Sequence, residues 1–222
     1  MTGTDTGVGK TVVACALVRA LRGRGIDAGA MKPIETGVGA DGPRDALALR
    51  AAGGDTDPLD DVCPQRFALP AAPSVAAARE RRALDLGALL EAFGRLRARH
   101  ELLVVEGAGG LLVPLAEGFC MADLAGRLGL PLVVVARAAL GTINHTLLTL
   151  EAAEGRGLAV AGVVVSHGAG PLSDPDAANL GALRAALGAR LAGEIPPLGP
   201  GQTPPPGAID LERLLGLQLT CE

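Results

Sequence analysis

The residues best suited to chemistry stand at the start of the chain, where Gly3-Thr-Asp-Thr-Gly-Val-Gly9 runs into Lys10-Thr11. Small residues let a backbone curl until successive N–H groups converge on phosphate oxygens. A helix opening at Lys10 would turn its unpaired N–H groups and positive dipole end toward the same anion. Gly7, Val8 and Gly9 would then supply backbone donors, Lys10 would reach the β- and γ-phosphates, and the Thr11 hydroxyl would serve Mg²⁺. The spacing departs by one residue from the usual G-x-x-x-x-G-K-[ST], because five residues separate Gly3 from Gly9.

Lysine usage is just as pointed. Of the 20 basic residues only two, Lys10 and Lys32, are lysines; the rest are arginines. An ammonium is a compact charge on a flexible stem, unlike the planar fork of a guanidinium. One lysine sits in the glycine-rich loop and the other follows the next apolar run, so both are read as functional.

Positioning these groups requires strands that end where the chemistry begins. A helix over Lys10–Leu21, with Val12, Val13, Ala16, Leu17 and Ala20 on one face, is followed by a strand over Ile26–Met31 that Lys32-Pro33 stops. The polar loop Pro33–Pro43 carries Glu35 and Thr36 and leads into a short helix starting at Arg44-Asp45. Residues Gly53–Pro73 read as an irregular excursion punctuated by four prolines. Ser74–Arg81 reads as a helical turn or two, and Leu84–His100 as an amphipathic helix capped by Asp85, with Arg95, Arg97 and Arg99 on a solvated face.

Leu102–Val105 reads as a buried strand ending in Glu106 and followed by Gly107-Ala-Gly-Gly110, the way a phosphate-loop protein often presents a metal-directed carboxylate. Strands over Pro131–Ala136 and Val160–Val165 flank a helix over Asn144–Glu154; a helix over Pro175–Leu187, a strand over Gly193–Pro196 and a helix over Ile209–Leu215 complete the chain. Strand–helix alternation predicts a P-loop NTPase-like, doubly wound α/β fold, its mainly parallel sheet covered by helices on both faces, as one domain over 1–222. Such sheets bind ligands at the carboxyl ends of their strands, where Lys32, Glu106, Ser166 and the loop would meet.

Composition agrees. A net charge of −4 without a basic run argues against nucleic acid, and the longest apolar stretch, broken by Pro131 and Arg137, is too short to span a bilayer. Cys15, Cys63, Cys120 and Cys221 lack metal-ligand or redox spacing, which fits reduced thiols and a cytoplasmic enzyme. Only Met1 and Thr2 precede the loop, so a longer lead-in strand upstream of Met1 is expected.

The blocks TGTDTGVGKT, MKPIETG at Met31–Gly37, RDALAL at Arg44–Leu49, VEGAGG at Val105–Gly110, LGTINHTLLT at Leu140–Thr149 and GEIP at Gly193–Pro196 resemble dethiobiotin synthetase in order and spacing. The extra loop residue is usual in that family. The resemblance implies an ATP- and Mg²⁺-dependent ring closure, in which 7,8-diaminopelargonic acid and CO₂ (or bicarbonate) give a carbamate, then a carbamic–phosphoric anhydride, then dethiobiotin. Crowded negative charge dominates such chemistry, which needs cations and oriented N–H donors more than a proton-transfer triad.

Carried onto this chain, the resemblance assigns Lys10 to the phosphates, Lys32 to the carbamate or transferring phosphoryl group, and Thr6 to their neighbourhood. Thr36 would hold the substrate, and Thr11, Asp45 and Glu106 would hold Mg²⁺, whose preference is for hard oxygen ligands. The substrate carboxylate would rest on the helix start Gly141-Thr142-Ile143-Asn144 of a neighbouring subunit, which implies a homodimer. His100 and His145 are read as structural or solvent-facing.

Two positions depart from the family. Gly7 replaces a frequent acid, and Ser166-His167 stands where many members have an asparagine for adenine. The base would be read at Ser166 and near Pro196, with the His167 ring as a substitute; a serine alone predicts that CTP, GTP and UTP serve within about tenfold of ATP. A partitioning-type ATPase usually has a further lysine early in the loop, absent from Gly3-Thr-Asp-Thr. A cobyrinic acid diamide synthase-like ligase would need a second, glutamine-hydrolysing domain.

Overall fold

The computed structural model describes residues 1–168, 170–199 and 201–216, and Cys221 lies outside them. The chain runs β1 (Thr2–Gly3), α1 (Lys10–Arg22), β2 (Ala28–Met31), β3 (Ile34–Thr36), α2 (Arg44–Ala52), α3 (Leu59–Val62), β4 (Gln65–Phe67), α4 (Pro73–Arg79) and α5 (Leu86–Arg99). It continues through β5 (Leu102–Val105), β6 (Pro114–Ala116), β7 (Phe119–Cys120), α6 (Met121–Leu128), β8 (Leu132–Arg137), α7 (Thr142–Glu154), β9 (Val160–Ser166), α8 (Asp174–Leu187), a 3₁₀ turn, β10 (Leu191–Ile195) and α9 (Leu211–Leu215).

Two parallel ladders form the central sheet, β1-β8-β9-β10 and β2-β5. Backbone bonds from the Met1 amine to Val105 O and from the Gly107 amide to Met1 O join them, so β5 lies beside β1. Neighbouring residues of each strand feed opposite cores. Val104, Val135 and Val164 pack with α1, whereas Leu103 and Val105 pack with α5 and α6, and Val134, Ala136, Val163 and Val165 pack with α7 and α8. A strand buried on both faces must be apolar throughout, which is why these segments read as unbroken Val/Leu runs rather than alternating ones.

Four features differ from the sequence reading. The excursion between Gly53 and Pro73 contains α3 and β4, and β4 pairs in parallel with β3 inside the supposed loop after Pro33. The hairpin β6–β7 and helix α6 follow the Gly107–Gly110 turn, and α6 opens on a capping box in which Asp123 accepts from the Cys120 amide. Asp85 does cap α5, accepting from the Ala88 amide. The arginines of that helix are not simply solvated, however. Arg95 and Arg99 pair with Asp61, and Arg99 also with Asp57, two carboxylates nearly buried beneath α5. Among the described residues no helix is long and apolar enough to cross a membrane.

Candidate active site

The loop leaves β1 and returns as α1 without a side-chain cap. Gly9 occupies the N-cap position at φ 92°, and Gly7 has φ 72°, both in the left-handed region that other residues enter at a cost. A Cβ on Gly9 would lie 2.4 Å from Ser166 Oγ, so Gly9 must be glycine for a second reason. Ser166 is buried directly under the loop. The first amides of α1 have no intrahelical partner, which leaves them available to an anion.

Lys10, buried, lies back across this loop and donates to Asp5 O at 3.0 Å. Burial lowers its pKa; the nearby Lys32 charge lowers it further, and Glu106, Asp45 and Asp5 oppose the shift. Lys32 directly follows β2, and its amide donates to Val62 O, which pins it to α3. Its Nζ contacts Glu106 Oε1 at 2.6 Å and Asp45 Oδ2 at 2.8 Å. Burial would lower the Lys32 pKa, but the two carboxylates outweigh it and hold the ammonium above its ordinary value.

Glu106 ends β5 at full burial and accepts from Thr11 Oγ1 at 3.0 Å through the same Oε1. Its Oε2 is buried and has no partner among the described residues. A buried carboxylate oxygen without a donor is costly, and a cation beside it removes the cost. Thr11, Asp45 and Glu106 therefore suit a hard divalent ion. Among the described residues no group of three or more His, Cys, Asp or Glu could hold a metal. Two carboxylates and a hydroxyl leave further positions to phosphate oxygens and water, as Mg²⁺ sites commonly do.

Asp45 is placed by a residue whose role the sequence reading did not recognise. The Glu35 carboxylate accepts from the amides of Asp45 (3.0 Å) and Ala46 (2.9 Å), capping α2 in place of Pro43, which makes no side-chain cap. Burial pushes the Glu35 carboxyl up, and these backbone bonds pull it back. A carboxylate ten positions before the amide it accepts from carries no local signal.

Thr6, Gly7, Gly9, Lys10, Thr11, Lys32, Glu35, Thr36, Asp45 and Glu106 line one cleft of about 340 Å³. The loop's other side faces a second cleft of about 390 Å³, bounded by Gly7, Val8, Gly9, Val12, Arg137, Ser166, His167, Leu172, Ile195 and Leu198 among others. Pro196, half-buried, follows Ile195 at its margin and is not among the residues lining it.

Helix α7 starts outside both clefts. It begins at Thr142, two residues before the expected Asn144, with Gly141 as N-cap at φ 87°. Asn144 is exposed, Ile143 half-buried, and Thr142 buried with an unpartnered Oγ1. His145 lines a groove with Thr4–Thr6 and Val113. His100 is half-buried, its side chain 7% exposed, with ring nitrogens 3.1 Å from Asp27 Oδ1 and 2.9 Å from Asp57 Oδ2.

Residues 1–203 match the family model described as "AAA domain". An ATP-dependent dethiobiotin synthetase of Anaeromyxobacter dehalogenans is 57% identical over 79% of this chain and 78% of its own length. The enzyme of that name from Methanocaldococcus jannaschii is 44% identical over 75% and 78%. That from Aromatoleum aromaticum is 42% identical over 88% of each.

Proposed function

The chain belongs to the ATP-dependent dethiobiotin synthetases, and on that premise we propose how its loop, two lysines and two carboxylates divide the chemistry. It is a ligase of biotin biosynthesis that uses ATP. Its further substrates are read as 7,8-diaminopelargonic acid and CO₂. One amine adds to CO₂ and loses a proton to give a carbamate. A carbamate oxygen attacks the γ-phosphorus and ADP leaves. The second amine then attacks the anhydride carbonyl, phosphate departs, and the ureido ring closes with loss of a proton.

The observation that carries this reading is the placement of Lys32 between Glu106 and Asp45, in the same cleft as Lys10 and the loop. Loop amides and Lys10 hold the triphosphate. Mg²⁺, held by Thr11, Asp45 and Glu106, would neutralise phosphate charge and orient the γ-phosphate. The Lys32 ammonium, in the same cleft, would face the carbamate and the migrating phosphoryl group, whose charge is spread over its oxygens. Thr6 and Thr36, at the cleft wall, offer hydroxyls to substrate. The adenine base occupies the second cleft, because a nucleotide whose γ-phosphate faces Lys32 must leave the loop on its other side.

The substrate carboxylate is taken by the open amides of Gly141–Asn144 from a second copy of the chain. Leu140, Leu147 and Leu148 beside that helix start are 73, 44 and 54% exposed, and a homodimer would cover them. Cysteines scattered without disulfide or metal spacing support a cytoplasmic reading. The deciding assay is phosphate release with 7,8-diaminopelargonic acid, bicarbonate, ATP and Mg²⁺, with the product identified by mass. ATP hydrolysis indifferent to the diamine would overturn the reading.

A further inference from the structure

Among the described residues five buried side-chain polar atoms lack partners; two are threonine hydroxyls on α7 and three belong to residues at the two clefts beside the loop. Glu106 Oε2 belongs to the reaction cleft, whereas Arg137 Nε and His167 Nδ1 belong to side chains that line the other one. The assigned chemistry explains the first. The other two have no explanation in it, and Ser166, the position expected to read the base, lines the same cleft close beneath Gly9.

Arg137 closes β8, directly opposite Ser166 in the β8–β9 ladder. Val135 and Val164, two residues earlier on each strand, face α1. Period-two alternation therefore sends Arg137 and Ser166 to that face as well, under the loop. Arg137 Nε is buried and has no partner among the described residues. A half-buried cation beside the loop with no partner for Nε is arranged for an acceptor the protein does not supply.

His167 is held in one orientation. Its side chain is 10% exposed, and Nε2 lies 2.7 Å from Glu194 Oε1. Glu194 is gripped in turn by Arg184, through Nε at 3.0 Å and Nη2 at 2.6 Å. A carboxylate only accepts, so the proton of the neutral ring resides on Nε2 and Nδ1 is an acceptor.

We propose that Arg137 and His167 together read the purine edge of the nucleotide, the Arg137 guanidinium donating to N7 and His167 Nδ1 accepting from the 6-amino group. A donor and an acceptor from two side chains thus replace the pair that one asparagine amide would offer at Ser166. The inference rests on placing the base in this cleft. It predicts an enzyme that prefers ATP despite the serine.

The test compares kcat/KM for ATP, 7-deaza-ATP, which lacks N7, and purine riboside triphosphate, which lacks the 6-amino group. Wild-type enzyme should use each analogue about tenfold less well than ATP. Arg137→Met should erase the 7-deaza penalty and keep the 6-amino penalty; His167→Leu should do the reverse. Ratios between nucleotides are independent of the folded fraction, so a partly unfolded variant still reports. A wild type that uses all three alike, or variants that keep both penalties, overturns the proposal. Leu198→Trp tests the placement separately. A bulky ring filling the cleft should raise the nucleotide KM whichever residues read the base, and an unchanged KM would remove the base from this cleft.

Discussion

Lys32 Nζ lies 2.6 Å from Glu106 Oε1 with the two side chains only 4% and 1% exposed. Taking two charges out of water is expensive, and removing one partner strands the other. Such a pair is a poor way to gain stability and a good way to store a cation until a competing charge arrives. Asp45, at 42% exposure, is the solvent-facing arm of the same triad.

The first prediction concerns that cation. Lys32→Arg keeps the charge beside Glu106 but replaces a point charge with a planar fork. Turnover should fall by about 10²–10³-fold while circular dichroism stays that of the parent. Lys10→Ala should lose turnover on a similar scale. A Lys32→Arg enzyme of near-normal kcat would sink the assignment.

Glu35 should act through Asp45 rather than on substrate. Glu35→Ala removes the cap of α2, which costs about 1 kcal/mol of stability. It also leaves Asp45 less firmly placed, so the Mg²⁺ concentration for half-maximal activity should rise about tenfold. Glu35→Gln keeps one acceptor and should recover part of both. Loss of stability with unaltered Mg²⁺ dependence would reduce Glu35 to a helix cap.

His100 makes stability depend on pH. Burial lowers the pKa of its imidazole, but hydrogen bonds to Asp27 and Asp57 outweigh this and raise it above the ordinary value. Arg22 and Arg99 neutralise those carboxylates in part. A folded-state pKa above the unfolded one means the contribution is whole below the unfolded value of about 6.5 and is lost as pH rises through the folded pKa. Wild-type melting temperature, taken relative to His100→Gln, should therefore decline from pH about 6.5 upward. A difference constant across that range would refute the linkage. Gly29→Ala should mimic the loss at every pH, because a Cβ there would lie 2.3 Å from the His100 ring.

A shared site predicts complementation. Lys10→Ala and Asn144→Ala proteins, each weak alone, should regain some activity when mixed under conditions of subunit exchange. Leu148→Glu should yield monomers with little turnover. A fully active monomer in sedimentation would rule out the composite site.

The sequence alone determined the loop, the buried strands and the residues that end them. Each rests on local chemistry. Glycines turn a backbone, a run of Val and Leu buries on both faces, and a lysine or glutamate after such a run must stand at the sheet's carboxyl edge. Arg137 carried that same signal after Leu132–Ala136 and was read only as an interruption in an apolar stretch.

Tertiary structure decided what distance along the chain hides. Lys32 and Glu106 are 74 residues apart, and the Glu35 carboxylate meets a helix that starts beyond a glycine-rich loop. Asp57 and Asp61 look like loop acids until α5 lays Arg95, Arg99 and His100 over them. The parallel pairing of β3 with β4 could not be read either, since three-residue strands carry too little periodicity. Ser166 is assigned to the base by the family resemblance; only the packing of β9 against the loop sets it both under Gly9 and in the wall of the second cleft. Local preferences select elements, whereas contacts between elements select which polar atoms are left without partners.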